Sequence, residues 1–220
     1  MYDWREKTVQ AMAELDLDAL HAGVQALAAE GCSFHEIEEL LQDGMRLVGE
    51  RFADGDYFLA DLIVSGMMFK SALSLLLADA PPRQKGPQCG RVLIGVVAGD
   101  IHDIGKDIVA QVLKTERFDI LDLGVDVPAE AFVQAARAYD PDVIALSGVM
   151  GNSTNEMRLV IAALAEAGIH PLTPIVVGGS CVSELVKDQI QADCYARGPV
   201  DTMIFCKNVM EKKKDYAQNG

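Results

Sequence analysis

Asp100-Ile101-His102-Asp103 follows the aliphatic run Arg91 to Val97 after Ala98-Gly99 and sets one imidazole between two carboxylates. An imidazole that binds a metal through one ring nitrogen needs an acceptor for the hydrogen on the other. Asp100, two residues away in an extended loop, has the reach to be that acceptor. Gly99 and Gly105 flank the group, where they allow a tight turn and leave room for a bulky molecule to approach without a Cβ in the way. The same residues have a plainer alternative, as surface polarity or as caps of the helix that follows. A zinc or di-metal hydrolase would need further His, Asp or Glu ligands close by. His21 and His35 fall on helical segments and His170 in the loop before Pro171, so mononuclear zinc is disfavoured. Neither G-x-x-x-x-G-K-[ST] nor G-x-G-x-x-G occurs, which removes a phosphate-cradling loop.

The elements that must position this loop are read from pattern and composition. With 220 residues, half of them hydrophobic, the chain can bury the cores of two small domains. From Trp4 to about Ala80 apolar residues recur at helical spacing, as in Leu15, Ala19, Ala22, Ala26 and Ala29, then Ile37, Leu40, Leu41 and Met45. Four helices are predicted at 4–14, 16–30, 34–52 and 58–78, with Gly31 as a stop and Ser33 as an N-cap three residues before Glu36. This gives a helical bundle domain over 1–80. The stretch Asp79 to Gly90 holds three prolines and two glycines and reads as a semi-stiff connector, with the linker placed at 81–90.

Over 91–220 short β-branched runs (RVLIGVV, FDILDLG, DVIALSG, PIVVGG and a weak DCYA) alternate with helical stretches at 104–115, 129–138, 154–167, 181–190 and 200–212. Strands apolar on both faces that alternate with helices require a parallel sheet covered on both sides. Five such units resemble the flavodoxin-like doubly wound α/β fold, in which ligands sit beyond the carboxyl ends of the strands where strand order reverses. The tail from Glu211, with Lys212 to Lys214, reads as a frayed helix end.

A formal charge of -14 repels phosphate backbones and anionic lipid heads, so neither nucleic acid nor a membrane is an expected partner. Five scattered cysteines without a C-x-x-C pair read as reduced, cytoplasmic thiols. The N-terminus carries acids and no apolar run with a cleavage site, and the most apolar stretch, Leu59 to Ala78, is interrupted by Asp61, Ser65 and Lys70. Neither an export signal nor a membrane span is expected.

Asp100-x-His102-x-x-Gly105 is followed after 41 residues by Ser147-Gly148-Val149 and after 28 more by Gly178-Gly179. Together these resemble the D-x-H-x-x-G, S-x-L, G-G pattern of cobalamin-binding domains. The resemblance implies that His102 is the lower axial ligand of cobalt in place of dimethylbenzimidazole. The displaced nucleotide tail would then thread a slot between the sheet and a helix. It assigns Asp100, His102, Asp103, Ile104, Gly105, Ser147, Gly148, Val149, Gly151, Ser153, Gly178 and Gly179 to the cofactor, with Ser147 bonding the benzimidazole. Asp100, His102 and Ser153 form an Asp-His-Ser relay in this pattern; Ser153 as a plain helix N-cap is the alternative. Val149 stands where the family usually has leucine.

The run Val48 to Leu62 resembles the helical cap module that precedes the cobalamin domain in methionine synthase and in corrinoid proteins of methanogens and acetogens. By that resemblance Phe52, Leu59 and Leu62 would cover the upper, methyl-bearing face of the corrin; ordinary bundle core is the alternative. Met67-Met68-Phe69 reads as core packing.

The resemblance implies a methyl carrier whose cofactor is cobalamin or a related corrinoid, alternating between methylcobalamin and cob(I)alamin. Its implied partners are a substrate-specific methyltransferase, an acceptor methyltransferase and a reductive activation protein. Three rivals stand beside it: a cobalamin-dependent light-sensing or regulatory module, the cobalamin subunit of a mutase, and a flavodoxin-like module with no cofactor.

Overall fold

The computed structural model describes residues 3–78 and 88–219. The chain divides into two compact units, Met1–Pro81 and Pro82–Gly220. The connector expected at 81–90 lies, through residue 87, outside the described residues.

The first unit holds four helices: α1 (Trp4–Ala13), α2 (Leu17–Ala29), α3 (Phe34–Asp54) and α4 (Leu59–Ala78). Asp3 and Asp16 cap the first two through their carboxylates. Ser33 and Glu36 close a reciprocal capping box on α3, and Gly55, in the left-handed conformation, ends that helix. The stripe expected on α2 is corrected. Ala19, Ala22 and Ala29 are exposed, and the buried face is Leu20, Gly23, Val24 and Leu27. The larger aliphatics recur at the same helical spacing and bury far more apolar surface than alanine, so they set which face turns inward. α3 turns Ile37 and Leu41 inward as expected, while Leu40 and Met45 are only half-buried and Val48 is buried as well.

Within α4, Leu59–Leu76 is long and apolar enough to cross a membrane by length and composition, with a mean hydropathy of 1.5. Here Met68, Phe69, Ala72 and Leu73 are buried, and the helix packs on α2 and α3. Met67, expected in the core, is exposed because its position faces away from that seam.

The second unit is a five-stranded parallel sheet in the order β2-β1-β3-β4-β5. Its strands are β1 (Gly90–Val96), β2 (Phe118–Asp122), β3 (Val143–Ser147), β4 (Ile175–Gly178) and β5 (Cys194–Ala196). Between and after them run α5 (Ile104–Thr115), α6 (Ala129–Tyr139), α7 (Ser153–Glu166), α8 (Glu184–Ile190) and α9 (Pro199–Asn219). Alternation along β1 divides the core. Leu93 and Val97 join Phe132, Ile144, Leu146, Val160 and Val177 on one face. Val92 and Ile94 join Leu113, Val143, Val176 and Cys206 on the other. Both faces are dry, which is why the strands read as continuous apolar runs.

The frayed tail is also corrected, since α9 stays helical to Asn219. Lys and Glu are strong helix formers, and Lys213 bonds Asp142 at 2.7 Å, which ties the last turns to the foot of the sheet.

Sheet order reverses at β1, which lies between β2 and β3. Val96 pairs with Ser147 and Ser147 with Gly178, so the carboxyl ends of β1, β3 and β4 stand level. The loops that leave those ends carry the motif residues.

Candidate functional site

The loop that leaves β1 and the entry to α7 converge on Asp100. After β1, Gly99 turns with φ +75° and delivers Asp100 into the protein, where it is 1% exposed. Asp100 Oδ2 accepts from Val149 N at 2.6 Å, Met150 N at 3.0 Å and Ser153 Oγ at 2.7 Å, at the entry to α7. Asp100 Oδ1 accepts from His102 N at 3.0 Å and faces His102 Nδ1 at 2.6 Å. Burial alone would raise the Asp100 pKa, but the Val149 and Met150 amides, the Ser153 hydroxyl and the His102 amide hold it well below the usual carboxylate range. An ionised carboxylate can only accept, so His102 carries a hydrogen on Nδ1, and in the neutral ring that tautomer leaves Nε2 as the lone-pair nitrogen. The ring is half exposed, with 52% of its side chain open.

Ser153 is the first residue of α7 and is buried; the N-cap is Asn152. Its hydroxyl goes to Asp100, so the plain N-cap alternative is set aside. Asp103 caps α5 without a side-chain bond to the helix backbone, and Ile104 and Gly105 are the first helical residues. Gly105 is not at a tight turn, which corrects one reason given for it; a Cβ there would meet open space. The same openness holds at Gly151.

The glycines at the strand ends are demanded by the chain itself. Gly179 has φ +120°, and a Cβ on it would lie 1.9 Å from the Gly148 carbonyl oxygen. A Cβ on Gly148 would meet Ser153 Cβ at 2.5 Å, and one on Gly178 would lie 3.3 Å from the Ala196 carbonyl. Close approach of β3, β4 and α7 therefore requires small residues before any ligand is considered. Ser147 is half-buried at the end of β3, and Val149 is exposed beside it. The Val149 and Met150 amides were not foreseen as Asp100 donors, because a main-chain donor leaves no mark on the sequence.

Lys106, also not foreseen, is buried on α5 and donates to Asp107 Oδ1 at 2.7 Å and to Asp122 Oδ2. Burial works to lower its pKa, but those two carboxylates prevail and raise it. In the helical unit, Phe52 and Leu59 are 42% and 66% exposed and Leu62 is half-buried, so Phe52 and Leu59 are not bundle core.

These residues fit a corrinoid held through its metal. An imidazole fixed in the tautomer that frees Nε2 is a good cobalt ligand, the His102 side chain is half exposed, and added Cβ atoms at Gly105 and Gly151 would meet nothing within 4 Å.

Comparison with known proteins agrees. A B12 binding domain model matches residues 90–204, and a second B12 binding domain model matches residues 4–77. Dimethylamine corrinoid protein 2 of Methanosarcina acetivorans is 33% identical over 174 residues, 79% of this chain and 81% of that protein. Trimethylamine corrinoid protein 2 of the same organism is 34% identical over 199 residues, covering 90% and 92%. The solved Methanosarcina barkeri monomethylamine corrinoid protein superposes with a TM-score of 0.78 at 27% identity, covering 92% of this chain and 96% of that one. A corrinoid, with its cobalt, is the cofactor these matches carry. The chain belongs to the B12-binding-domain family, in the company of the methylamine corrinoid proteins.

Proposed function

We propose that this protein is a methyl carrier that receives a methyl group from a substrate-specific methyltransferase and gives it up to a second, acceptor methyltransferase. The observation that carries it is the Asp100 carboxylate shared between His102 Nδ1 and Ser153 Oγ, which leaves His102 Nε2 free for a metal. When bound, the corrinoid supplies the cobalt atom on which the methyl group travels.

The chain's own residues orient and tune. His102 would hold the metal through Nε2, which must be free of hydrogen to ligate. Asp100, accepting from Nδ1, orients the ring so that Nε2 faces outward to ligate, and Ser153 holds Asp100 in place. We assign Asp103, Ile104, Gly105, Ser147, Gly148, Val149, Gly151, Gly178 and Gly179 to the walls that accept the corrinoid and its tail. Residues 1–80 serve as a cap domain, in which Phe52, Leu59 and Leu62 shield the methyl-bearing face from water and oxidants. A shield over a reactive atom that two enzymes must reach has to open for each of them.

The names of the relatives favour a methylamine as methyl source. A reductive activation protein is the third partner, since a cobalt centre that strays from its reduced form needs an electron supply. The reduced thiols favour a cytoplasmic location.

The test is to load the chain with hydroxocobalamin, reduce it, and add dimethylamine or trimethylamine with the matching methyltransferase. The visible spectrum should change to that of the methylated cofactor. In His102→Ala, corrinoid retention should fall and the histidine-ligated spectrum should be lost. Unchanged loading and spectrum in that variant would remove the ligand assignment, and a wild-type chain that accepts no methyl group would remove the carrier role.

A further inference from the structure

The loop that carries His102 is held from two sides. Its inner anchor is the Asp100 carboxylate on the entry to α7, described above. Its outer anchor is the β2–α6 loop. There Asp126 Oδ1 accepts from Gly99 N at 2.7 Å, and Asp126 N donates to the Asp100 carbonyl oxygen at 2.9 Å. These two bonds bracket the Gly99–Asp100 peptide, one on the amide that enters it and one on the carbonyl that leaves it.

Asp126 holds this grip in a left-handed backbone conformation, φ 54°, uncommon for non-glycine residues though tolerated by aspartate, and one that its surroundings have to fix. The surroundings do so here. Val127 N bonds the Val96 carbonyl, Val96 N bonds the Gly124 carbonyl, and Gly124 N bonds Asp122 Oδ1. Asp122 is in turn paired with buried Lys106, one turn beyond His102 on α5. The β2–α6 loop thus touches the histidine loop at its start through Asp126, and the end of β2 touches it just past its end through Asp122. His102 makes its two described hydrogen bonds to Asp100 Oδ1 alone. Whatever fixes the Asp100 main chain therefore fixes the imidazole.

We infer that Asp126 is a positioning residue, whose carboxylate holds the Gly99 amide and so fixes the backbone from which Asp100 orients the His102 imidazole. The role rests on His102 being the cobalt ligand. Its prediction concerns the balance between ligated and released histidine, since released histidine can tolerate a loose loop and ligated histidine cannot.

Two substitutions separate the bond from the backbone. Asp126→Gly keeps the left-handed conformation and the N–H to Asp100 but deletes the acceptor. Asp126→Asn also tolerates that conformation and retains an accepting oxygen. Each variant, with wild type and His102→Ala, is saturated with the same corrinoid, and the ratio of histidine-ligated to histidine-released cofactor is read from the visible spectrum. Hydrogen exchange at Gly99 is read in the apo-proteins. Asp126→Gly should lower the ratio about tenfold, the low end of what one hydrogen bond to a charged group contributes, and should speed Gly99 exchange. Asp126→Asn should restore both towards wild type. An Asp126→Gly ratio equal to wild type, while His102→Ala loses the ligated spectrum, would overturn the role of Asp126 and leave the ligand in place. Equal losses in the Gly and Asn variants would overturn it as well, because the acceptor would then be irrelevant. A His102→Ala spectrum identical to wild type would remove the ligand and Asp126's role with it.

Discussion

Replacing Asp100 by Asn changes no shape and one charge, and its consequences can be worked from the hydrogens that Asp100 receives. Val149 N, Met150 N and Ser153 Oγ point at Oδ2, and His102 N and Nδ1 point at Oδ1. A side-chain amide offers one accepting oxygen. With its nitrogen at the Oδ2 position, the substituted amide would orphan the two backbone donors of Val149 and Met150. With its nitrogen at the Oδ1 position, it would orphan only the His102 amide, at the cost of forcing Nδ1 to accept. The second arrangement is cheaper, and it moves the ring hydrogen to Nε2, where it blocks the metal. One buried donor left unpaired costs about 1–3 kcal/mol, so the apo-protein should lose about 2 kcal/mol in urea unfolding at neutral pH. The corrinoid-loaded variant should lose its histidine-ligated spectrum.

The acid limb adds a second constraint. Because the folded pKa of Asp100 is depressed, the stability it contributes is present above the unfolded value of about 3.9 and drains away as pH falls below that. The gap between wild type and Asp100→Asn should therefore narrow below about pH 4. An unchanged urea midpoint together with a retained histidine-ligated spectrum would refute the tautomer argument.

Three further expectations can be checked separately. Gly179→Ala would set a Cβ against the Gly148 carbonyl in a backbone region that alanine resists, and should destabilise the apo-protein by about 3 kcal/mol in urea unfolding; a loss below about 1 kcal/mol would contradict that geometry. Phe52→Ala should speed photolysis of the methylated cofactor while leaving the histidine-ligated spectrum intact, and unaltered light sensitivity would remove the shielding role of the cap. Cys206 is fully buried and its thiol is pushed up to about 12 by burial, so iodoacetamide at about pH 8 should leave it unlabelled in the native protein and label it only after unfolding, as read by mass spectrometry.

The parallel sheet was legible because β1, β3 and β4 are buried on both faces, and a strand with two dry faces writes its position into an unbroken aliphatic run. Asp100, His102 and Ser153 could be grouped from their spacing and the family resemblance, although they lie far apart along the chain. The α2 face was misread because a stripe of alanines and a stripe of Leu20, Val24 and Leu27 share one helical period, and only packing shows which turns inward. Gly105 and Gly179 look alike as letters, yet one faces open space and the other lies hard against a carbonyl. Asp126 carried no signal at all. Its partner is the main chain of a residue 27 positions away, and backbone partners leave no pattern in side-chain identity.

Which nitrogen sits beneath cobalt decides the rest. The most direct measurement is electron paramagnetic resonance of the divalent cobalt form, in protein labelled uniformly with nitrogen-15 and loaded with unlabelled cobalamin. Ligation by His102 predicts that each cobalt line splits into a doublet, from a spin-half nitrogen, and that His102→Ala abolishes it. A triplet from the cofactor's own unlabelled base would contradict that ligation.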